Sequence, residues 1–367
     1  MQAILLVGGE ATRLRPLTCN TPKSMVPVLN VPFLEHVIRY LSGHGIKDII
    51  LAQGFLPKPM SDYFGDGSRW GVSLSYSLEN KPMGTGGAVK NAEHLLKDTF
   101  LVFNGDIFTD LDLTSMLKFH RERSAKVTIS LTPVEDPTAY GLIESSSDGK
   151  ITRFLEKPSW DQVTTNLINA GAYIMDKEML KRIPPQTSYS FERQLFPQLL
   201  EQGDPMYAFS VPSYWIDIGT PTKYLQLHRD LLRGEVKGYS FVQGKIVKIG
   251  QGCSIHPGTQ LIGPAIIGDN CTISRGVKIF GPSIIGPGNS IMEDTTIEES
   301  LTWQNNRFEP RVHLKQCIVA NDCFLEANTS AEKSVIGDHV TTNRNTRLGV
   351  ESYIWPPVKE EKQVQKR

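Results

Sequence analysis

Two different periods divide this chain. In the first two thirds, apolar runs at 3–7, 47–52, 72–76, 100–103 and 126–131 alternate with stretches of helical spacing at 33–42, 86–97 and 113–121. Runs that short and unbroken predict strands covered on both faces, and strand–helix alternation predicts a mostly parallel sheet with helices on both sides. In the last third, Ile249, Ile255, Leu261, Ile267, Ile273, Ile279, Ile285, Ile291 and Ile297 recur every six residues. Four residues after each stands a mostly small side chain, Cys253, Thr259, Ala265, Cys271, Val277, Ser283, Asn289 and Thr295, with Leu301 the exception. This hexapeptide repeat predicts a parallel β-helix in which Ile249, Ile267 and Ile285 stack on one face and Cys253 stacks with Cys271 as small core residues. The strict frame is lost around Trp303–Pro310 and returns loosely through Ile318, Leu325 and Ile336. The expected division is an α/β domain over 1–235, the repeat over 246–350, and a charged, frayed tail over 351–367.

Composition narrows the classes. The chain has 367 residues with 39 Lys+Arg against 39 Asp+Glu, so there is no basic excess for nucleic acid or an anionic membrane. No apolar run is long enough to span a bilayer, and the N-terminus lacks a signal-like basic and apolar sequence. Five cysteines, an odd count without a CxxC pair, fit a reducing compartment and argue against a disulfide framework or a zinc site. A cytoplasmic protein is expected, with any anion site built locally.

The candidate chemistry follows the predicted strands, where ligands of open α/β sheets sit. After Ala3–Val7 come Gly8 and Gly9, then Thr12, Arg13, Arg15 and Lys23: a sharp turn with backbone N–H groups and cations for phosphate oxygens. The loop is neither a P-loop nor the dinucleotide fingerprint, since it lacks Gly-Lys-Ser/Thr and a third glycine. A second glycine-rich turn, Pro82–Lys90, enters a helix, either as a flexible helix start or as a close approach to a base or ribose. Asp106 ends the strand at 100–103. Asp112, just before the run Leu113–His120, is the better helix cap, which leaves Asp106 for the pocket.

These residues resemble the sugar-1-phosphate nucleotidylyltransferases, or nucleotide-sugar pyrophosphorylases. The resemblance rests on Gly8-Gly9-Glu10-Ala11-Thr12-Arg13-Leu14-Arg15-Pro16-Leu17-Thr18 with Pro22-Lys23-Ser24, Gly84-Thr85-Gly86-Gly87-Ala88, Asn104-Gly105-Asp106, Glu156-Lys157-Pro158, Asn169-Ala170-Gly171 and Trp215-Ile216-Asp217-Ile218-Gly219. Ala11 and Ser24 depart from the family's glycine and proline. The resemblance implies a Rossmann-like, mostly parallel sheet domain followed by a left-handed parallel β-helix. It also implies transfer of a nucleoside monophosphate from an NTP to a sugar 1-phosphate with release of pyrophosphate. Nucleotide contacts would come from Leu6, Gly8, Gly9, Thr12, Arg13, Lys23, Gly84, Thr85 and Asn104. Gly141, Glu156, Lys157 and Asn169 would hold the sugar phosphate, and Asp106 and Asp217 would hold Mg²⁺. Arg13, Lys23, Asp106, Lys157 and Asp217 would carry catalysis. The Gly84–Ala88 segment resembles that of the guanylyltransferases, which puts GTP and mannose 1-phosphate ahead of glucose 1-phosphate with UTP or dTTP.

Two further classes stay open at this point. Hexapeptide coils often carry acyltransferases, for which His256, His313 and His339 would supply a base, and a non-catalytic regulatory subunit would share the same layout. A homo-oligomer formed through the coil is expected in either case.

Overall fold

A computed structural model describes residues 1–238 and 247–357. The chain divides into two compact units: Met1–Glu10 with Pro22–Met25 and Phe33–Asp217, and Ala11–Thr21 with Val26–Pro32 and everything from Ile218 onward.

In the first unit, the apolar runs become strands of a nine-stranded sheet. Its order is Ile151–Glu156, Gly141–Ser145, Leu167–Asp176, Thr99–Asn104, Gln2–Leu6, Asp48–Gln53 and Ser73–Leu78. Val127–Pro133 also pairs with Leu167–Asp176, and Met206–Ser210 lies outside it. The sheet is mixed. Gln2–Leu6 is parallel to both its neighbours and Asp48–Gln53 to Ser73–Leu78, whereas Leu167–Asp176 runs antiparallel to every strand it meets. The opening strand is central and buried, as its unbroken apolar run requires. Helices Phe33–Gly43 and Leu113–Glu122 form at the predicted places. The predicted 86–97 stretch is a helix over Gly84–Asn91 followed by a separate 3₁₀ turn over Glu93–Leu95. Asp112 accepts from the backbone N–H of Thr114 and Ser115, the capping role read from the sequence. One core joins Ile4, Val102, Tyr173, Phe191 and Phe196, all fully buried.

In the second unit, two- and three-residue strands stack into three parallel sheets, the β-helix that the hexads predict. Ile249, Ile267 and Ile285 stack at 18-residue intervals, and Cys271 is buried inside. The coil does not break at Trp303–Pro310, where Arg307–Phe308 pairs with Ser290–Ile291. Its turns instead shorten to 17 residues, Leu301 pairing with Ile318 and Ile318 with Val335. One corner has lost a residue: Gly281-Pro282-Ser283 gives way to Glu299-Ser300, Gln316-Cys317 and Lys333-Ser334. Glu299, Gln316 and Lys333 turn that corner with φ of 46°, 53° and 47°. The core position therefore moves by one, and it is Val319, not Ile318, that faces inward beside Leu325 and Ile336. The pairing also runs past 350, since Tyr353–Ile354 adds to Val335–Ile336. The rest of the expected tail, 358–367, lies outside the described residues, as does the expected first residue of the coil, 246.

The outward residues of one coil face, Ile266, Ile284, Leu301, Ile318 and Val335, are buried too. Helix Pro221–Arg233 and the segments Ala11–Thr21 and Val26–Pro32 share this unit, and polar links fix them to the coil. Trp303 Nε1 donates to the Tyr224 hydroxyl at 3.1 Å, and that hydroxyl donates to the Pro27 carbonyl. Arg229 pairs with Glu299 at 3.1 Å, Asn30 Nδ2 donates to the Ile285 carbonyl at 3.1 Å, and Asn20 Nδ2 to Asp338 at 3.2 Å. By packing, then, the division differs from the cut expected at 235: the loop with Thr12 and Arg13 goes with the coil.

Candidate active site

The C-terminal ends of three adjacent parallel strands lie in register at Leu6, Ala52 and Asn104. Each continues into glycine, and two of these glycines serve close packing. A Cβ on Gly54 would stand 2.8 Å from the Gly8 carbonyl oxygen, and one on Gly105 would stand 2.6 Å from that of Leu6. Gly105 thereby brings Asp106 against the opening strand, with its N–H bonded to the Leu6 carbonyl at 2.9 Å. Gly8 is itself enclosed, with Glu79 Oε1 and Gly54 N about to meet any Cβ, whereas a Cβ on Gly9 would meet nothing within 4 Å.

Lys23 Nζ donates to Asp106 Oδ2 at 2.7 Å; the lysine is 13% exposed and the aspartate 37%. Asp217 ends the strand Trp215–Asp217, which pairs antiparallel with Ile107–Thr109 so that Asp217 stands opposite Ile107. The two aspartates expected to hold a metal are thus one residue out of register on paired strands. Tyr140 donates its hydroxyl to Asp217 Oδ2 at 2.6 Å, and its ring packs edge-on against Trp215. Trp215 in turn donates Nε1 to the Ala170 carbonyl at 2.9 Å. Among the described residues no three His, Cys, Asp or Glu side chains gather into a metal cage. Two carboxylates are the donor set that suits Mg²⁺ completed by substrate phosphates.

The sugar-phosphate candidates form a second group. Gly141 pairs with Glu156 across a hairpin, and a Cβ there would meet the Phe154 ring at 2.8 Å and Glu156 Oε2 at 3.0 Å. Lys157 has φ 52°, and its N–H donates to the Tyr140 carbonyl at 2.9 Å. Burial pushes the Glu156 carboxyl up, and the Glu192 carboxylate adds to it, against Lys157 and Arg193. Asn169 precedes an irregularity in its strand where Gly171 takes φ 76° over the Asn104 side chain. Asn169 Oδ1 accepts from Gly171 N–H at 2.9 Å, and Nδ2 donates to the Tyr173 hydroxyl at 2.8 Å. Asn104 Oδ1 is buried with no partner in the protein, which leaves an acceptor for a bound group.

The second glycine turn is differently used. Cβ atoms on Gly84, Gly86 and Gly87 would meet the Tyr189 carbonyl oxygen at 2.8 Å, the same atom at 3.1 Å and the Thr187 carbonyl oxygen at 2.5 Å. The close approach these glycines permit is therefore to the segment before Phe191. The Thr85 hydroxyl accepts from Phe191 N–H at 2.9 Å and donates to Glu192 at 2.7 Å, so it serves that segment as well. Thr12 and Arg13 form an exposed 3₁₀ turn in the other unit. Ala11, standing where the family has glycine, takes the left-handed conformation with φ 49°, and the Thr18 hydroxyl donates to its carbonyl at 2.9 Å.

Two carboxylates escaped the sequence reading. Glu79 lies between the two turns, pushed up by burial and accepting from Met83 N–H at 3.1 Å. Glu192 is the second residue of a π-helical turn, Phe191–Leu195. Neither sits in a motif, and only the fold brings them to the site.

An α/β sheet with paired aspartates, a half-buried lysine and glycine turns at its strand ends has the layout of a transferase acting on phosphate groups. The nucleotidyl transferase family model matches residues 2–234, and the bacterial transferase hexapeptide (six repeats) model matches 246–281. The chain belongs to the nucleotidyl transferase family. It is 38% identical over 274 residues to a mannose-1-phosphate guanylyltransferase of Mycobacterium tuberculosis, covering 73% of this chain and 75% of that one. It is 34% identical over 338 residues to a UTP–glucose-1-phosphate uridylyltransferase of Synechocystis, covering 87% of each. Among solved structures, HddC from Yersinia pseudotuberculosis complexed with GMP-PN is similar at a TM-score of 0.54 and 30% identity, over 61% of this chain and 96% of that one. No helix among the described residues is long and apolar enough to cross a membrane.

Proposed function

We propose that this nucleotidyltransferase joins GMP from GTP to mannose 1-phosphate, giving GDP-mannose and pyrophosphate. The observation that carries the reading is the strand pairing that sets Asp106 beside Asp217, with Lys23 held on Asp106 at 2.7 Å. The guanine and mannose assignments are supported by the Mycobacterium relative and by the GMP-PN bound in HddC. UTP with glucose 1-phosphate is the second reading, favoured by the longer span of similarity to the Synechocystis relative.

The obstacle is electrostatic, since two polyanions must meet, and positioning with charge neutralisation lowers the barrier. A sugar-phosphate oxygen attacks the α-phosphorus and pyrophosphate leaves. Lys157 anchors the attacking phosphate, Glu156 accepts from a sugar hydroxyl, and Arg13 holds the leaving pyrophosphate. Lys23 exchanges its hold on Asp106 for a phosphate oxygen. Asp106 and Asp217 would hold Mg²⁺, which when bound supplies positive charge to the α-phosphate. Leu6, Gly9 and Asn104 line the nucleotide's approach. The thiols of all five cysteines are free, which suits the cytoplasm, and the coil is the surface for a homo-oligomer.

The test is pyrophosphate release with GTP, UTP, dTTP, CTP and ATP crossed with mannose, glucose, heptose and N-acetylglucosamine 1-phosphates, with Asp106→Asn alongside. GTP with mannose 1-phosphate should lead, and the variant should lower it by about 10²–10³. A lead for UTP with glucose 1-phosphate selects the second reading, and no release with any pair sinks both.

A further inference from the structure

One half-buried hydrogen-bond chain joins Asn169, a sugar-phosphate candidate, to Thr85, a nucleotide candidate. Asn169 Nδ2 donates to the Tyr173 hydroxyl at 2.8 Å, and Tyr173 donates to Glu192 Oε1 at 3.1 Å. From the other side, Phe191 N–H donates to the Thr85 hydroxyl at 2.9 Å and Thr85 to Glu192 Oε2 at 2.7 Å. Ser190 adds a hydroxyl to Oε2 at 2.6 Å. Tyr173 is wholly buried, and its ring stands edge-on to Phe191 and Phe196, so the phenol has no route to water.

A carboxylate only accepts. Every hydroxyl touching Glu192 must therefore point its hydrogen at it, which fixes the direction of the whole chain. Tyr173 then has only a lone pair left for Asn169, and Asn169 must answer with N–H. Its Oδ1 is already held by Gly171 N–H at 2.9 Å, so the amide cannot flip. Asn169 keeps its second N–H for a ligand, a donor fixed in direction for an acceptor oxygen of the sugar, beside the one lone pair of Oδ1 that Gly171 leaves. The same carboxylate holds Thr85, and through it the start of the helix Gly84–Asn91.

We propose that Glu192 is a positioning residue that touches neither substrate, orients Asn169 through Tyr173 as a donor to the sugar, and fixes the nucleotide turn through Thr85. This rests on the nucleotidyltransferase reading proposed above and on the family resemblance, which puts Asn169 on the sugar side and the Gly84 turn on the nucleotide side.

The test is equilibrium binding of mannose 1-phosphate and of GTP, and the KM for each, in Tyr173→Phe, Thr85→Val and Glu192→Gln. Each charge-assisted or buried bond lost should weaken the ligand it serves by about tenfold. Tyr173→Phe should weaken the sugar phosphate and leave GTP within about twofold, Thr85→Val should do the reverse, and Glu192→Gln should weaken both. A general loosening would move both ligands together in Tyr173→Phe, and that result overturns the proposal. So does a Glu192→Gln protein that binds both ligands as the unaltered protein does. If Glu192→Gln does not fold, the split between the other two variants decides the matter, its presence supporting the proposal and its absence overturning it. Unaltered protein that binds neither ligand overturns the parent reading and this inference with it, a result distinct from selective failure of the variants.

Discussion

The turns that follow Gln2–Leu6 and Ser73–Leu78 are alike in composition and opposite in use. At the first, Gly9 borders open space, and the cationic side chain of Lys23 lies a short chain distance away, on the carboxylate of Asp106. At the second, all three glycines of Gly84-Thr85-Gly86-Gly87 lie under the backbone at Thr187 and Tyr189, and the threonine hydroxyl is saturated by Phe191 and Glu192. At the first turn Gly8 packs against protein and Gly9 is left open, whereas every glycine of the second lets two pieces of protein touch. A glycine-rich turn at a strand end is thus evidence of close approach, and only the neighbours say what approaches.

That contrast breaks cleanly under substitution. Beside the first turn, Asp106→Asn should lower kcat by about 10²–10³ while the melting temperature stays nearly unchanged, because the proposed role of the lost charge is at the reacting phosphates. At the second, Gly87→Ala should cost about 2–4 kcal/mol of stability, since its Cβ would stand 2.5 Å from a carbonyl oxygen and 3.1 Å from Met83 Cβ. Thermal unfolding checks it, and an unchanged melting temperature would mean the helix start shifts freely. Gly9→Ala should leave stability within about 0.5 kcal/mol and raise the KM for GTP several-fold, the opposite pattern to Gly87→Ala. Equal effects of the two alanines would erase the distinction.

The smallest effect is a shift in a pH profile. Glu156 is held above the usual glutamate value by burial first and by Glu192 second. In its proposed role it accepts most strongly from a sugar hydroxyl when ionised, so kcat/KM for the sugar phosphate should fall as pH drops through that raised value. Removing the Glu192 charge should move the fall to lower pH, though not to the ordinary value, because burial remains. The stability sign runs the other way. A raised carboxyl favours folding fully below its unfolded pKa, and that contribution is lost as pH rises through the folded one. Glu156→Gln should accordingly raise the melting temperature near neutral pH and lose that gain in acid.

Much of this was legible along the chain, for local reasons. Strands buried on both faces have to be continuously apolar, so Ala3–Val7 and Phe100–Phe103 announce themselves, and Asp112 caps its helix through groups two and three residues away. The hexads announce the coil because each turn repeats the same core position. Legibility fails where the cause lies far off in sequence. The corner that shortens at Glu299 moves the core from Ile318 to Val319, and a pattern read at fixed spacing loses count there. Glu192 meets Thr85 across 107 positions, and nothing local to either marks the meeting. Gly141, expected among the sugar-phosphate residues, also has to admit the Phe154 ring, a partner visible only once the hairpin is closed.

The attachment of Ala11–Thr21 to the coil also constrains how the protein comes into being. Asn20 and its partner Asp338 are separated by 318 positions, so the segment bearing Arg13 leaves the ribosome long before the turn that holds it. At about 5–20 residues per second, that wait is roughly 15–65 s. A nascent chain can build its sheet as the strands emerge, but the Asn20 bond of its first loop waits for almost the last coil. Premature termination upstream of Asp338 would therefore leave the first loop without the Asn20–Asp338 bond.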